Sequence, residues 1–348
     1  MKVEVRGTGR DGTGRHAGSD PSADGRRGAG SPARPPRRSS GLRNRLAVWD
    51  LRGTPYLMVL PFFVLFGVFG LFPLAYTFWV SLHDWHLING DQGWVGFENY
   101  SRLFSDENFW NALFNTVSLF LLSTIPQLLL ALGLAAVLNS RLRARTFFRA
   151  GVLVPNVVTV VAVGVVFAQI FGRDYGVVNW LLGLVGVGEG PDGPINWQAD
   201  RLASHVAISF IVTWRWTGYN ALIYLAAMQA IPADIYEAAK VDGASAWRTF
   251  WSVTVPMIRP TVIFTAIVST IGGLQLFAEP LLFDDRGLAA GTGGSDRQFQ
   301  TLTMYLYEHG FTLFNSGYAS AVAWMLFLIV VVVALINFGI TRRLVAGK

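Results

Sequence analysis

"PYLMVLPFFVLFGVFGLFPLAYTFWVSL", residues 55–82, runs for 28 residues without a formal charge. A helix rises 1.5 Å per residue, so about 20 apolar residues cross a hydrocarbon core of about 30 Å. The stretch is too long for the apolar region of a cleaved signal and follows a long basic segment, so it reads as a retained anchor. Five more runs of this kind follow, near 112–138, 150–172, 204–230, 260–283 and 319–341. Six spans with both termini on one side is the simplest reading, and it makes the chain an all-α integral membrane protein. Composition agrees: 52% of residues are hydrophobic and only 14% are charged, against about 25% charged in soluble domains.

The 348 residues carry a formal net charge of +6, and the placement of that charge decides its meaning. With the N-terminus placed inside, cytoplasmic segments hold 22 of the 28 Lys and Arg: 12 in residues 1–54, then Arg141, Arg143, Arg145 and Arg149, three in the loop 232–259, and three from Arg342 onward. The outside loops hold five, beside 13 Asp and Glu. This asymmetry orients the chain in a cell membrane with both termini cytoplasmic. The basic residues follow topology and are not interleaved with aromatics along a groove, which argues against a nucleic-acid partner. With no cysteine, disulfides and Cys-ligated metals are excluded.

Residues 1–54 are rich in Gly, Arg, Pro and Ser and cannot bury enough apolar surface to offset ordering entropy, so they read as a disordered cytoplasmic tail ahead of a transmembrane domain at 55–348. The first outside loop offers a turn at Asn89–Gly90 and two amphipathic pieces, near 100–104 and 108–113. "YGVVNWLLGLVG" in the second reads as an interfacial helix, too short to span. The third, "DDRGLAAGTGGSDRQFQ", reads as flexible, and leads to "TLTMYLYEHGFTLF", a candidate surface helix.

Between the fourth and fifth spans stands "IYEAAKVDGASAWRTFWSVTVPMIRP", residues 235–260. Pro232 suits a first helical position, Asp234 and Glu237 sit where the helix dipole favours anions, and Gly243 can take the left-handed conformation that ends a helix near 241. Ser245 offers a cap for a second helix that presents Trp247, Phe250 and Trp251, until Pro256 and Pro260 reset the chain. A helix, turn, helix element on the cytoplasmic face results. A generic amphipathic connector at the headgroups is the alternative reading.

The residues Glu237, Ala238, Ala239, Asp242, Gly243, Ala244, Trp247, Phe250, Val253, Val255, Pro256 and Pro260 resemble the EAA loop of the permease subunits of ATP-binding-cassette importers, with Val where Ile and Leu are usual. From about residue 56 onward, "GFENYSRLF", "FWNALFNT", "FRAGVLVPNVV", "TWRWTGYNALIYLAAMQAIP", "IGGLQLFAEPLLF" and "YASAVAWMLFLIVV" resemble the carbohydrate-uptake branch, specifically the first of two paired sugar permeases. Some of these stretches are most similar to permeases for lactose or cello-oligosaccharides. The resemblance implies that Glu237 to Trp247 inserts into a groove of an ATPase subunit and carries its closure into the membrane helices. It also implies a second permease, two ATPase copies, an extracytoplasmic solute-binding protein and a sugar substrate.

No GxxxxGK[ST] phosphate loop occurs, so hydrolysis of ATP is assigned to a separate subunit and no cofactor to this chain. "HDWH" at 83–86 is read as solvated, and no catalytic or metal residue is assigned. Arg215 and Glu279 are the two charges well inside spans, each costing about 2.5–3.5 kcal/mol if exposed to lipid at the bilayer centre, so they should face protein or water. Arg215 and Tyr219, Trp216 and Asn220, and Gln275 and Glu279 lie one turn apart. Sugars need hydroxyl partners and aromatic faces, so Trp214, Arg215, Trp216, Tyr219, Asn220, Gln275, Phe277 and Glu279 are the candidate substrate pathway. Family resemblance places these helices around a central cavity, and Glu279–Pro280 reads as a broken helix end lining it. The competing reading is an interfacial aromatic belt with a structural ion pair. An ion-coupled secondary transporter is the alternative class, but it would carry its own coupling site and usually repeated halves; neither is apparent. A membrane-embedded enzyme would need a nucleophile and base or a metal set, and none is legible.

Overall fold

The structure is a computed structural model describing residues 54, 56–140, 143–188, 193–284 and 292–346. The expected tail falls outside these residues except at its last position. Two compact units, Met1–Val64 and Leu65–Lys348, divide the chain, and the cavities and site residues described below all lie in the second.

Helix α1 (Tyr56–Ser81) is the charge-free stretch, with apolar side chains exposed along most of its length. A two-stranded hairpin follows, β1 (His83–His86) against β2 (Gly90–Trp94), then α2 (Glu98–Ser105) and α3 (Glu107–Asn139). The second amphipathic piece expected near 108–113 is the opening of α3, started by Asp106, whose carboxylate accepts from the Asn108 amide at 2.9 Å. At 33 residues α3 is about 50 Å long. It pairs along its length with α7 (Arg201–Gln229). Fully buried Ala131, Ala135 and Ala221 lie where the two helices meet, together with Tyr224 and Leu225. Small side chains let helix backbones approach when lipid offers no hydrophobic drive between them.

Two expected spans are broken. The run at 150–172 becomes α4 (Arg145–Val157) and α5 (Val160–Ile170), bent by 88°. Pro155 removes a hydrogen bond from the last turn of α4, and the Thr159 hydroxyl caps α5 through the Ala162 amide. The run at 260–283 divides into α10 (Arg259–Leu274) and α11 (Ala278–Phe283) across residues 275–277. The chain leaves the helix after the Gly272–Gly273 pair. At the break the Leu276 carbonyl accepts from the hydroxyls of Thr301 (2.8 Å) and Thr303 (2.6 Å), which answers the demand for backbone partners at membrane depth. Pro280 sits in the first turn of α11, where its missing N–H costs nothing.

Helix α6 (Val177–Gly183) is the expected short outer helix. Between α7 and α10 lie α8 (Ala233–Val241) and α9 (Ala246–Met257), the latter widened to a π-helical turn over Phe250–Thr254 and bent by 70° from α10. Helix α12 (Leu302–Tyr307) and α13 (Ser316–Ala346) complete the chain.

Among the described residues three helices, α1, α3 and α13, are long and apolar enough to cross a membrane, or up to five if each bent pair counts as one span. Helix α7 has the length, but Arg215, Asn220 and their polar neighbours lower its hydropathy. They are spent on an interior surface.

Three outer-loop expectations are corrected. His83 is buried, not solvated: its ring lies 4.0 Å from that of Trp79, and Nδ1 is 2.8 Å from the Trp79 carbonyl oxygen. Residues 298–300, expected to be flexible, are buried, as is Thr301, which opens the next segment. Helix α12, expected on the surface, buries Met304 and places Leu302 and Tyr305 in one buried cluster with Leu103, Phe109 and Tyr318. These segments look loop-like because they are polar, yet distant partners satisfy them. Asn115 donates to the Arg297 and Gln300 carbonyls, and Thr116 accepts from the Leu302 amide.

Candidate functional site: a central cavity and a helix, turn, helix element

A cavity of about 380 Å3 opens between α3, α7, α10 and the broken segment, within the size range of small-molecule sites. Seven of the eight pathway residues read from the sequence line it: Arg215, Trp216, Tyr219 and Asn220 from α7, Gln275 and Phe277 from the break, and Glu279 from α11. Trp214 does not. It points to the other side of α7, where its ring meets Phe167 at 5.1 Å. Residues two apart on a helix diverge by about 200°, so with Trp216 on the cavity side Trp214 is turned away from it.

Arg215 Nη1 donates to Glu279 Oε1 at 2.7 Å, with the two side chains 16% and 7% exposed. The Arg215 guanidinium also lies 5.6 Å from the Trp216 ring, and Trp216 meets Tyr219 edge-on at 6.0 Å. The ion pair bridges α7 to α11 across the helix break and cancels the formal charge of the wall. Asn220 and Ser269 are at 3.5 Å. Thr124 and Gln127 of α3 complete the lining. Sequence reasoning missed them, although two polar residues three apart in a long apolar helix were a signal.

The helix, turn, helix element closes as the sequence predicts, with one shift: Pro232 caps α8 from outside and does not occupy its first position. Helix α8 ends in a Schellman motif. The Ala244 amide donates to the Ala239 carbonyl at 2.9 Å, the Gly243 amide to Lys240 at 3.0 Å, and Gly243 has φ +75°. This pairing consumes two orphan carbonyls and requires the left-handed residue. The Ser245 hydroxyl then caps α9 through the Arg248 amide. Ala239 is the buried anchor, while Glu237, Ala238, Asp242, Gly243, Trp247 and Pro256 are exposed and Ala244 is half-buried. Val241, 88% exposed beside Trp247 at 73%, is an apolar tip that the sequence reading left unassigned. A recess of about 600 Å3 lies between this element and the end of α3, walled by Asn139, Tyr236, Lys240, Ala244 and Phe250.

On the hairpin side, a polar bracket locks the last outer segment. Arg297 grips Glu308 with two hydrogen bonds of 2.5 and 2.8 Å, and Gln300 donates to the same carboxylate at 2.7 Å. Tyr305 and Tyr318 donate to Asp106 at 2.5 and 3.2 Å. Burial opposes ionisation of Glu308 and Asp106, but those hydrogen bonds and nearby positive charge outweigh it, so both carboxyls sit below their ordinary values. The bond to Glu308 raises Arg297, and burial raises the Tyr305 phenol.

A bundle of apolar helices, one of them broken around a polar cavity, with an exposed helix, turn, helix element on one face, defines a membrane permease. Residues 106–346 match the model of the binding-protein-dependent transport system inner membrane component, and the chain belongs to that family of ABC importer subunits. Relatives span nearly its full length. The lactose transport system permease protein LacF of Rhizobium radiobacter is 38% identical over 85% of this chain and 95% of its own. The trehalose/maltose transport system permease protein MalF of Thermococcus litoralis is 33% identical over 82% and 93%. The arabinooligosaccharides transport system permease protein AraP of Bacillus subtilis is 30% identical over 83% and 88%. These relatives are named as transport permeases, not enzymes. In fold, a chain from a bacterial ABC transporter involved in import of the acidic polysaccharide alginate matches with a TM-score of 0.70 at 22% identity, over 86% of this chain and 99% of that one.

Proposed function

We propose that this chain is the first of two paired permeases in an importer that moves a neutral di- or oligosaccharide of the lactose or cello-oligosaccharide type into the cytoplasm by alternating access. The observation that carries the reading is the central cavity. It combines aromatic faces (Trp216, Tyr219, Phe277) with neutral hydrogen-bonding groups (Asn220, Gln275, Gln127), while its two formal charges neutralise each other. That is the chemistry of a polyhydroxylated, uncharged ligand. Relatives named for lactose, trehalose/maltose and arabinooligosaccharides support the class.

The remaining parts follow from it. A basic cytoplasmic tail at 1–54 precedes a permease domain at 55–348 that crosses the membrane six times, through α1, α3, the bent pair α4–α5, α7, α10 and α13, with both termini inside. The segment 232–259 is the coupling loop. Glu237 pairs with a cation on an ATPase subunit, Ala238 permits close approach, Asp242, Gly243 and Ala244 set the turn, and Val241 and Trp247 insert as apolar tips. Ala239 anchors the element to the bundle, and Pro256 directs the chain toward α10. A loaded extracytoplasmic solute-binding protein docks on the outer loops, two ATPase copies close on ATP, and the element turns the pathway.

Three variants test this in cells carrying the whole importer. Trp216→Ala should lower uptake at least tenfold with normal membrane levels, a loss equivalent to about 1.4 kcal/mol of binding, whereas Trp214→Ala should leave uptake near the parent value. Glu237→Lys should lose co-purification of the ATPase subunit. Normal uptake by Trp216→Ala would place the sugar elsewhere, and normal assembly by Glu237→Lys would remove the coupling role.

A further inference from the structure

The central cavity is not the largest. A second one, of about 780 Å3, lies between α5, the turn after it and α11. Its rim is the turn 172–176, and that turn is unusually constrained. The Gly176 amide donates to the Gly172 carbonyl at 3.1 Å, and a Cβ on Gly176 would stand 2.1 Å from that same oxygen, so only glycine closes it. Asn179 Nδ2 donates to the Arg173 and Ile195 carbonyls, both at 2.8 Å, and Asn179 Oδ1 accepts from Trp197 Nε1 at 2.9 Å. The backbone is therefore pinned on both sides.

What this fixed turn holds out is Arg173, Asp174 and Tyr175, all exposed, Tyr175 at 99%. Their side chains have no hydrogen-bond, ionic or ring partner among the described residues. The same is true of Gln169, which faces the cavity from the end of α5. A pre-organised turn that presents a planar cation, a carboxylate and an aromatic ring, none used internally, beside a concave wall with a free amide, has the donor set by which proteins take vicinal hydroxyls and the C–H face of a pyranose.

The floor links this place to the pathway. Helix α11 enters the central cavity with Ala278 and Glu279 and reaches the outer one with Leu281 and Leu282. Six residues make a rod of about 9 Å, so the two cavities lie at opposite ends of one short helix. That helix is seated hard against α5: a Cβ on Gly164 would stand 2.3 Å from Leu282 Cβ.

We infer that the outer cavity is a second carbohydrate station, which holds further rings of an oligosaccharide at the mouth of the pathway through Arg173, Asp174, Tyr175 and Gln169. The inference rests on the reading that the central cavity carries sugar. A concave site sharing α11 with that cavity favours a small polyhydroxylated ligand over a protein surface.

The chain has no cysteine, so a single introduced thiol reports cleanly on this subunit. Tyr175→Cys and, separately, Asp174→Cys would be made in the complete importer, in membrane vesicles without binding protein, and labelled with a maleimide. A blocking ligand at twice its Kd slows labelling roughly threefold by mass action. Cellotetraose should do so at both positions, lactose less, and neither at Ile88→Cys on the exposed hairpin. Equal rates with and without cellotetraose up to its solubility would overturn the station. Protection that appears only with added binding protein would overturn it too, and identify a docking face. The uptake of Trp216→Ala is read separately. If that variant loses uptake while labelling is unprotected, only the outer station fails; if labelling is protected while that variant transports normally, the assignment of the central cavity fails.

Discussion

Gly243 offers the sharpest test of how the helix, turn, helix element works, because its environment isolates one physical term. Its φ is +75°, yet a Cβ built there would meet nothing within 4 Å. Substitution therefore introduces no clash, only the cost of holding an L-residue in the left-handed region, about 1–2 kcal/mol for alanine. Asparagine, which visits that region more readily, should cost less. Proline cannot adopt the angle and also removes the amide that donates to Lys240 at 3.0 Å, so it dismantles the Schellman motif outright. A penalty of 1–2 kcal/mol is a factor of roughly 5–30 in the population of the turned conformer. Reconstituted importer should rank Gly, then Asn, then Ala, then Pro in substrate-stimulated ATP hydrolysis. Alanine should lose no more than about thirtyfold by the same conversion, and all four chains should insert equally. Equal stimulation across the series would refute the claim that the angle between α8 and α9 is transmitted to a partner. An alanine variant as inactive as the proline one would show that Cβ meets a partner surface, so that contact and not backbone angle is the governing term.

The outer bracket and the helix contacts give two further tests. Glu308→Ala strands Arg297 in a site where the two side chains are 29% and 8% exposed. Breaking one side of a buried pair costs about 3–5 kcal/mol, and the partly exposed arginine argues for the lower end. Arg297→Ala added to it should recover part of the loss in denaturant unfolding, and a cycle coupling below about 0.5 kcal/mol would show the two residues to be independent. Because Glu308 and Asp106 have depressed carboxyl values, their contribution is complete above the ordinary carboxylate value and is lost as pH falls through the folded ones. Stability should thus decline only below about pH 4, and Glu308→Gln should flatten that decline. Gly218 and Gly133 should respond to alanine with opposite signs. A Cβ at Gly218 would meet the Val152 carbonyl oxygen at 1.9 Å, forcing α4 off α7 at a cost of about 1–3 kcal/mol. At Gly133 nothing lies within 4 Å, and removing a glycine from a helix interior should gain about 0.5–1 kcal/mol. Thermal melts in lipid nanodiscs would read both.

Hydropathy and local turn chemistry make α1, α3, α13 and the Gly243 turn legible in the sequence, because in each the deciding interactions lie within a few residues. The cavity was half legible. Arg215 and Glu279 stood out as charges that lipid would penalise, and their 2.7 Å contact joins residues 64 positions apart. What one residue faces was not legible. Trp214 and Trp216 have the same chemistry and, two positions apart, point to different sides of α7, but only the packing of Trp214 on Phe167 shows which side turns away from the cavity. The segment 298–301 failed for the opposite reason. Read alone it is polar and follows glycines, which is loop composition, but its partners include Asn115, Gln198 and His205, between about 90 and 190 residues away. Hydropathy treats every polar residue as a vote for water, whereas in this bundle a polar residue is as often a vote for another helix. The two kinds can be separated by one criterion, whether its hydrogen-bonding groups are already engaged. By that criterion the polar residues at 298–301 hold the fold together, while Arg173, Asp174, Tyr175 and Gln169, equally polar but left without partners among the described residues, are free to meet the ligand we propose.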